Sequence, residues 1–132
     1  MAKKYVFISY DYENDKHYKN LLLAWDQNKQ FDFYISDISA DVSIESTDSS
    51  SIKRTLSAKI NSGGHFLVIV GKHTWKSKWV RWEIEKAAEL GKKIIAVKTD
   101  RENQTPAELY GVGASWALTF TRDSIVNAID NV

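Results

Sequence analysis

The chain has 132 residues, 43% hydrophobic and 27% charged, and 18 Lys and Arg against 17 Asp and Glu give a formal net charge of +1. That length and balance predict one globular domain with a core of its own, and the near-neutral charge provides no field for nucleic acid. Cysteine is absent, which excludes disulfides, thiolate metal sites and a cysteine nucleophile, and matches a reducing cytoplasm.

Met1-Ala2-Lys3-Lys4 leads into an apolar run of only five residues, Tyr5 to Ser9, so neither a signal peptide nor a membrane span is expected. The expectation is a soluble cytoplasmic protein. Tyr5 to Ser9 is the first strand candidate, followed by Asn14 to Asn28, where His17, Leu21, Leu22 and Trp25 repeat at helical spacing. Phe31 to Ile35 is the second strand. Ser36 to Ser50 is polar, acidic and long for a strand-to-helix connection, hence either a candidate lid or interaction loop or a mobile surface loop with no role. Ile52, Leu56 and Ile60 then mark a helix that Ser49 or Ser50 would cap and Gly63-Gly64 would end.

His65 to Val70 is apolar almost throughout, as a central strand covered on both faces should be. A helix over Lys78 to Leu90 follows it and ends at Gly91. Lys93 to Val97 is the fourth strand, the region of Pro106 holds at most a short helix, and Gly111-Val112-Gly113 reads as a turn. Ser115 to Phe120 is the fifth strand, and Asp123 to Asn131 is a last helix capped by Thr121 or Asp123. Strands alternating with helices predict a flavodoxin-like three-layer sandwich, a five-stranded parallel sheet with helices on both faces. The ligand crevice of such a sheet lies beyond the carboxyl ends of its strands, where the strand order reverses.

Glu83 is the residue that breaks the pattern. About 100° per residue places Trp79, Val80, Ile84, Ala87 and Leu90 on one arc of their helix, and Glu83 falls inside that arc. A carboxylate turned toward a core must find a partner, take up a proton, or line a cavity that a ligand reaches. The helix starts at the crevice edge. Trp75, Trp79 and Trp82 cluster there, available for stacking or for core packing, the latter favoured for Trp82. Lys72, His73, Lys76, Lys78 and Arg81 form a local basic patch, suited to a pyrophosphate or simply solvated.

Other chemistries lack their residues. The first strand runs into Tyr10-Asp11-Tyr12-Glu13-Asn14-Asp15 with no glycine-rich phosphate loop. A phosphoacceptor receiver domain needs an aspartate at the end of the third strand, where Val70-Gly71-Lys72 stands. His17, His65 and His73 have no metal-ligand spacing, and no serine occupies a nucleophile elbow.

Four segments in order resemble a Toll/interleukin-1 receptor (TIR) domain, in particular the bacterial TIR-like family of the Thoeris antiphage type. Val6-Phe7-Ile8-Ser9-Tyr10 looks like the opening strand, and Phe31-Asp32-Phe33-Tyr34-Ile35-Ser36-Asp37 looks like the second strand entering the BB loop. Trp79-Val80-Arg81-Trp82-Glu83 resembles the tryptophan-to-glutamate motif, and Gly91-Lys92-Lys93-Ile94-Ile95 resembles the start of the fourth strand. Asp11 departs from the basic residue common there, and the BB-loop segment has neither glycine nor proline.

The resemblance implies a TIR fold and an NAD-cleaving enzyme with Glu83 as the catalytic carboxylate. It also implies substrate contacts at Phe7, Ser9, Tyr10 and Asp11, at Ser36 and Asp37, and at Trp79. NAD is then the substrate, with no separate cofactor and no metal. Nicotinamide leaves as a neutral base, so one ionised carboxylate suffices to stabilise the developing ribosyl cation. The implied product is ADP-ribose or a cyclised form, a signal to a separate effector protein, and the implied assembly is self-association through TIR–TIR contacts. The alternative is a non-enzymatic TIR adaptor that binds other TIR domains.

Overall fold

The computed structural model describes residues 4–27, 33–36 and 49–132. Its strands are β1 (Lys4–Ser9), β2 (Phe33–Ser36), β3 (His65–Val70), β4 (Lys93–Lys98) and β5 (Ser115–Ala117). They form one parallel sheet in the order β2-β1-β3-β4-β5. The helices are α1 (Lys16–Gln27), α2 (Ser49–Ser62), α3 (Lys78–Glu89) and α4 (Arg122–Asp130), with short 3-10 turns at Thr74–Lys76 and Ala107–Leu109. None of the described helices is long and apolar enough to cross a membrane.

Side-chain alternation divides the core in two. Val6, Ile8, Leu67 and Ile69 point to one face, where Leu22 of α1 and Ile125 and Ile129 of α4 cover them. Phe7, Phe66, Val68 and Val70 point to the other, against Leu56 and Ile60 of α2 and Val80 and Ile84 of α3. β3 is buried from Phe66 to Val70 because it is covered on both sides.

Local chemistry sets the helix ends. The Ser77 side chain accepts the Val80 N–H at 3.3 Å and starts α3. At its other end Gly91 takes φ of +71°, and the Lys92 N–H reaches back to the Ala87 carbonyl at 3.0 Å, a left-handed cap that favours glycine. Thr121 caps α4 through the Ser124 N–H at 3.3 Å. Gly111 and Gly113, at φ of +79° and +69°, form the turn expected of them.

Three expectations shift. Ser49 and Ser50 lie within α2 rather than before it, and Phe31 and Asp32 of the expected second strand lie outside the described residues. The fifth strand ends at Ala117, not Phe120, and Leu118 beyond it is 43% exposed. Thr119 instead bonds the Ser124 hydroxyl at 2.8 Å, which commits this segment to the start of α4.

The strand order reverses at β1, so the switch point at which such sheets form their ligand crevice lies between the ends of β1 and β3. Two loops meet there. The Asp15 carboxylate, buried ahead of α1, lies 3.3 Å from the Thr74 hydroxyl, and that hydroxyl accepts the Gly71 N–H at 2.8 Å. A Cβ on residue 71 would run into the Asp15 carboxylate, which is why glycine follows β3. Gly71→Ala is expected to lower stability by about 1–3 kcal/mol in urea unfolding, as overpacking does. Asp15→Ala in the same chain should return part of that loss, a coupling that a double-mutant cycle measures.

Candidate active site

α3 carries Glu83 into the face of the sheet that β1 presents with Phe7 and Ser9. Val80, Glu83, Ile84 and Ala87 are its buried residues, the arc that the helical spacing marks out. Glu83 is 1% exposed. The Ser9 hydroxyl, at the last residue of β1, donates to Glu83 Oε1 at 2.9 Å. Glu83 Oε2 is buried with no hydrogen-bond partner among the described residues.

Burial pushes the Glu83 carboxyl up to about 8, and the Ser9 hydrogen bond offsets only part of that rise. This corrects the expectation that Glu83 is ionised throughout. In the ligand-free protein at neutral pH it is mostly neutral, because an apolar surround leaves the anion with a single donor. Asp15 is also raised, by burial first and by Asp11 second, against the opposing influence of Thr74, His17 and His73.

The other expected substrate residues divide between the two faces of the sheet. Phe7 shares the Glu83 face but stacks on Phe66, ring centroids 5.7 Å apart, inside the core. Tyr10 packs on the opposite face with Val6 and Ile8, under the Lys19 ammonium at 5.5 Å. Asp11 organises its own loop, accepting the Glu13 N–H at 3.2 Å and the Asn14 side-chain amide at 2.7 Å. Ser36 ends β2 in register with Phe7. Asp37, and the loop from it to residue 48, lie outside the described residues.

Trp79 stands one turn before Glu83 on α3 and meets Trp82 edge to face, centroids 5.9 Å apart. Its indole Nε1 is buried with no partner among the described residues. Two unpaired polar atoms therefore sit on neighbouring turns of α3, an acceptor or acid at Glu83 and a donor at Trp79. In the basic patch, Arg81 is bound to Glu108 at 2.9 Å, whereas Lys72, Lys76 and Lys78 are exposed beside the exposed Trp75. Among the described residues no group of three or more His, Asp and Glu is arranged to hold a metal.

The model of the Thoeris protein ThsB, TIR-like domain, matches residues 7–104, a span that includes Ser9, Asp15, Thr74, Trp79 and Glu83. The chain belongs to this ThsB TIR-like family. A Bacillus cereus (strain MSX-D12) protein provisionally named cyclic ADP-D-ribose synthase ThsB1 is 35% identical over 51 residues. That stretch covers 39% of this chain and 27% of the relative. A solved structure of the Clostridium botulinum CMP N-glycosidase BcmB matches with a TM-score of 0.65 at 19% identity, covering 97% of this chain and 98% of that one. The TIR domains of the activated Roq1 resistosome match at a TM-score of 0.48 and 16% identity, over 98% and 86% of the two chains.

In this ThsB-type domain the buried pair of Asp15 and Thr74 does not stand out in the sequence. Their only sequence signal is an acidic residue just ahead of a helix and a threonine beginning a 3-10 turn, and nothing local pairs residues 59 apart.

The shift of Glu83 makes a stability prediction with a definite sign. An unfolded chain releases this proton near 4.5 and the folded protein near 8, so between those values the unfolded state alone has lost it. Stability therefore falls as pH rises through that window and levels off above it. At pH 7.5 the cost is on the order of 4 kcal/mol. Glu83→Gln is expected to be more stable than the natural chain at pH 7.5 by urea unfolding, and the difference should close near pH 4.5.

Proposed function

We propose that this protein cleaves the N-glycosidic bond of NAD, with Glu83 as the catalytic carboxylate, and releases a cyclised ADP-ribose as a signal. The carrying observation is Glu83 itself, with Oε1 held by Ser9 and Oε2 buried and unpaired among the described residues, at the end of β1 beside the crevice. Membership of the ThsB family and the provisional name of the Bacillus cereus relative support this reading.

The bond from the ribosyl anomeric carbon to the nicotinamide ring nitrogen breaks with its electron pair going to nitrogen. Nicotinamide leaves neutral, and the ribosyl carbon becomes cation-like. Attack by water then gives ADP-ribose and a proton; attack by an adenine nitrogen of the same molecule gives a cyclic product and a proton. The positive nicotinamide ring of bound NAD favours the Glu83 anion, drawing its pKa down from about 8. An anion that water does not solvate responds strongly to positive charge developing at the sugar. In the Thoeris setting the product acts on a separate effector, and self-association through TIR–TIR contacts assembles the enzyme in the cytoplasm.

A second reading rests on the same raised pKa. A neutral Glu83 can donate a proton, which a cytosine leaving group requires and nicotinamide does not. That would suit a pyrimidine nucleotide of the kind named for the Clostridium botulinum neighbour.

Incubation with NAD or CMP, followed by chromatography and mass spectrometry of the products, separates the two. NAD cleavage by the anion predicts kcat/KM rising with pH to a plateau above about 8. Glu83→Gln should then lose about 10²–10³-fold in kcat, the scale of a lost charge-stabilising group. Undiminished NAD turnover in that variant sinks the role of Glu83. CMP cleavage falling above pH 8 supports the second reading instead.

A further inference from the structure

Resting on the reading of Glu83 as the NAD-cleaving carboxylate, we infer that Ser9 is a positioning residue for Glu83 rather than a substrate ligand. Its hydroxyl has one proton, and at 2.9 Å that proton is directed to Glu83 Oε1. Ser9 is 1% exposed and held at the end of β1 with its backbone in register with Val68, so the donor is fixed by the sheet. A neutral carboxyl that accepts at Oε1 carries its proton on Oε2. Ser9 thereby selects which oxygen bears the proton and which faces the ligand, and it supplies a donor that persists when the carboxyl ionises.

Among the described residues no charged neighbour shares this role. Of the charged groups on elements packed against α3, Lys53 and Lys86 lie over the Trp82 ring, and Arg81 pairs with Glu108. Lys98 of β4 donates to the carbonyls of Arg101 and Asn103, and Arg54 and Lys59 line a groove on α2. Glu85, Glu89, Lys93, Lys72, Lys76 and Lys78 are exposed, with His65 at the opposite end of β3. Burial and Ser9 set the balance on Glu83.

The test uses the full chain with Ser9→Ala and Ser9→Thr. The Glu83 carboxyl is titrated by carbon-13 NMR without substrate, and the pH dependence of NAD turnover is measured in parallel. Loss of a hydrogen bond to a charged group should raise the Glu83 titration in Ser9→Ala by about one pH unit. At pH 7 its kcat/KM should fall about tenfold, recovering at high pH. Ser9→Thr, which keeps the hydroxyl, should restore both. An unmoved Glu83 titration overturns the inference, as does a kcat/KM defect that persists undiminished at high pH, because that is the signature of a lost substrate contact. The NMR arm needs no turnover, so a natural chain that leaves NAD uncut refutes the enzymatic reading and still leaves the Ser9–Glu83 coupling measured.

Discussion

The hydrogen bond from Ser9 to Glu83 is a buried polar link across a largely apolar contact between β1 and α3. It exists because two patterns converge: the two-residue period of β1 turns Phe7 and Ser9 toward α3, and the helical period of α3 turns Glu83 toward β1. Around it stand Phe7, Phe66, Val68, Val80 and Ile84, none able to solvate a charge. The carboxyl therefore keeps its proton up to a pH of about 8 unless something brings compensating charge. A core optimised for stability would hold an apolar residue at position 83; keeping an acid there is the kind of cost that functional sites retain.

Much of the fold was readable because its signals are local. The apolar run of β3, the arc of α3, the cap at Thr121 and the glycine after α3 each report a periodicity or a backbone requirement within a few residues. The site was readable only in part. Glu83 stood out as a charge in an apolar arc, but its partner could not be found by spacing, since Ser9 lies 74 residues away. Its ionisation was misjudged for the same reason: a pKa depends on how many donors surround a carboxyl, and that number is tertiary. Tyr10 shows a different lesson. Grouped with Ser9 by adjacency, it necessarily points to the opposite face by strand alternation, and it packs there with Ile8.

Trp79 and Trp82 divide the work that their shared spacing suggests. Trp82 lies under the cations of Lys53 and Lys86 and closes the α2–α3 seam. Trp79 lies a turn from Glu83 and keeps a buried indole N–H without a partner among the described residues. Similar tryptophans three residues apart thus meet different surroundings, one toward charged side chains and one beside the carboxyl.

The placement of β1 between β2 and β3 bears on how the chain comes off the ribosome. Val6 finds its neighbour Ile35 early, but its other neighbour, His65, is made only after about half the chain has emerged. At roughly 5–20 residues per second, the first strand waits several seconds with one edge uncovered, and Ser9 waits longer for the helix that carries Glu83. During that interval an apolar strand with an open edge is a template for unwanted pairing, which places the vulnerability of this protein in its synthesis rather than in its finished state.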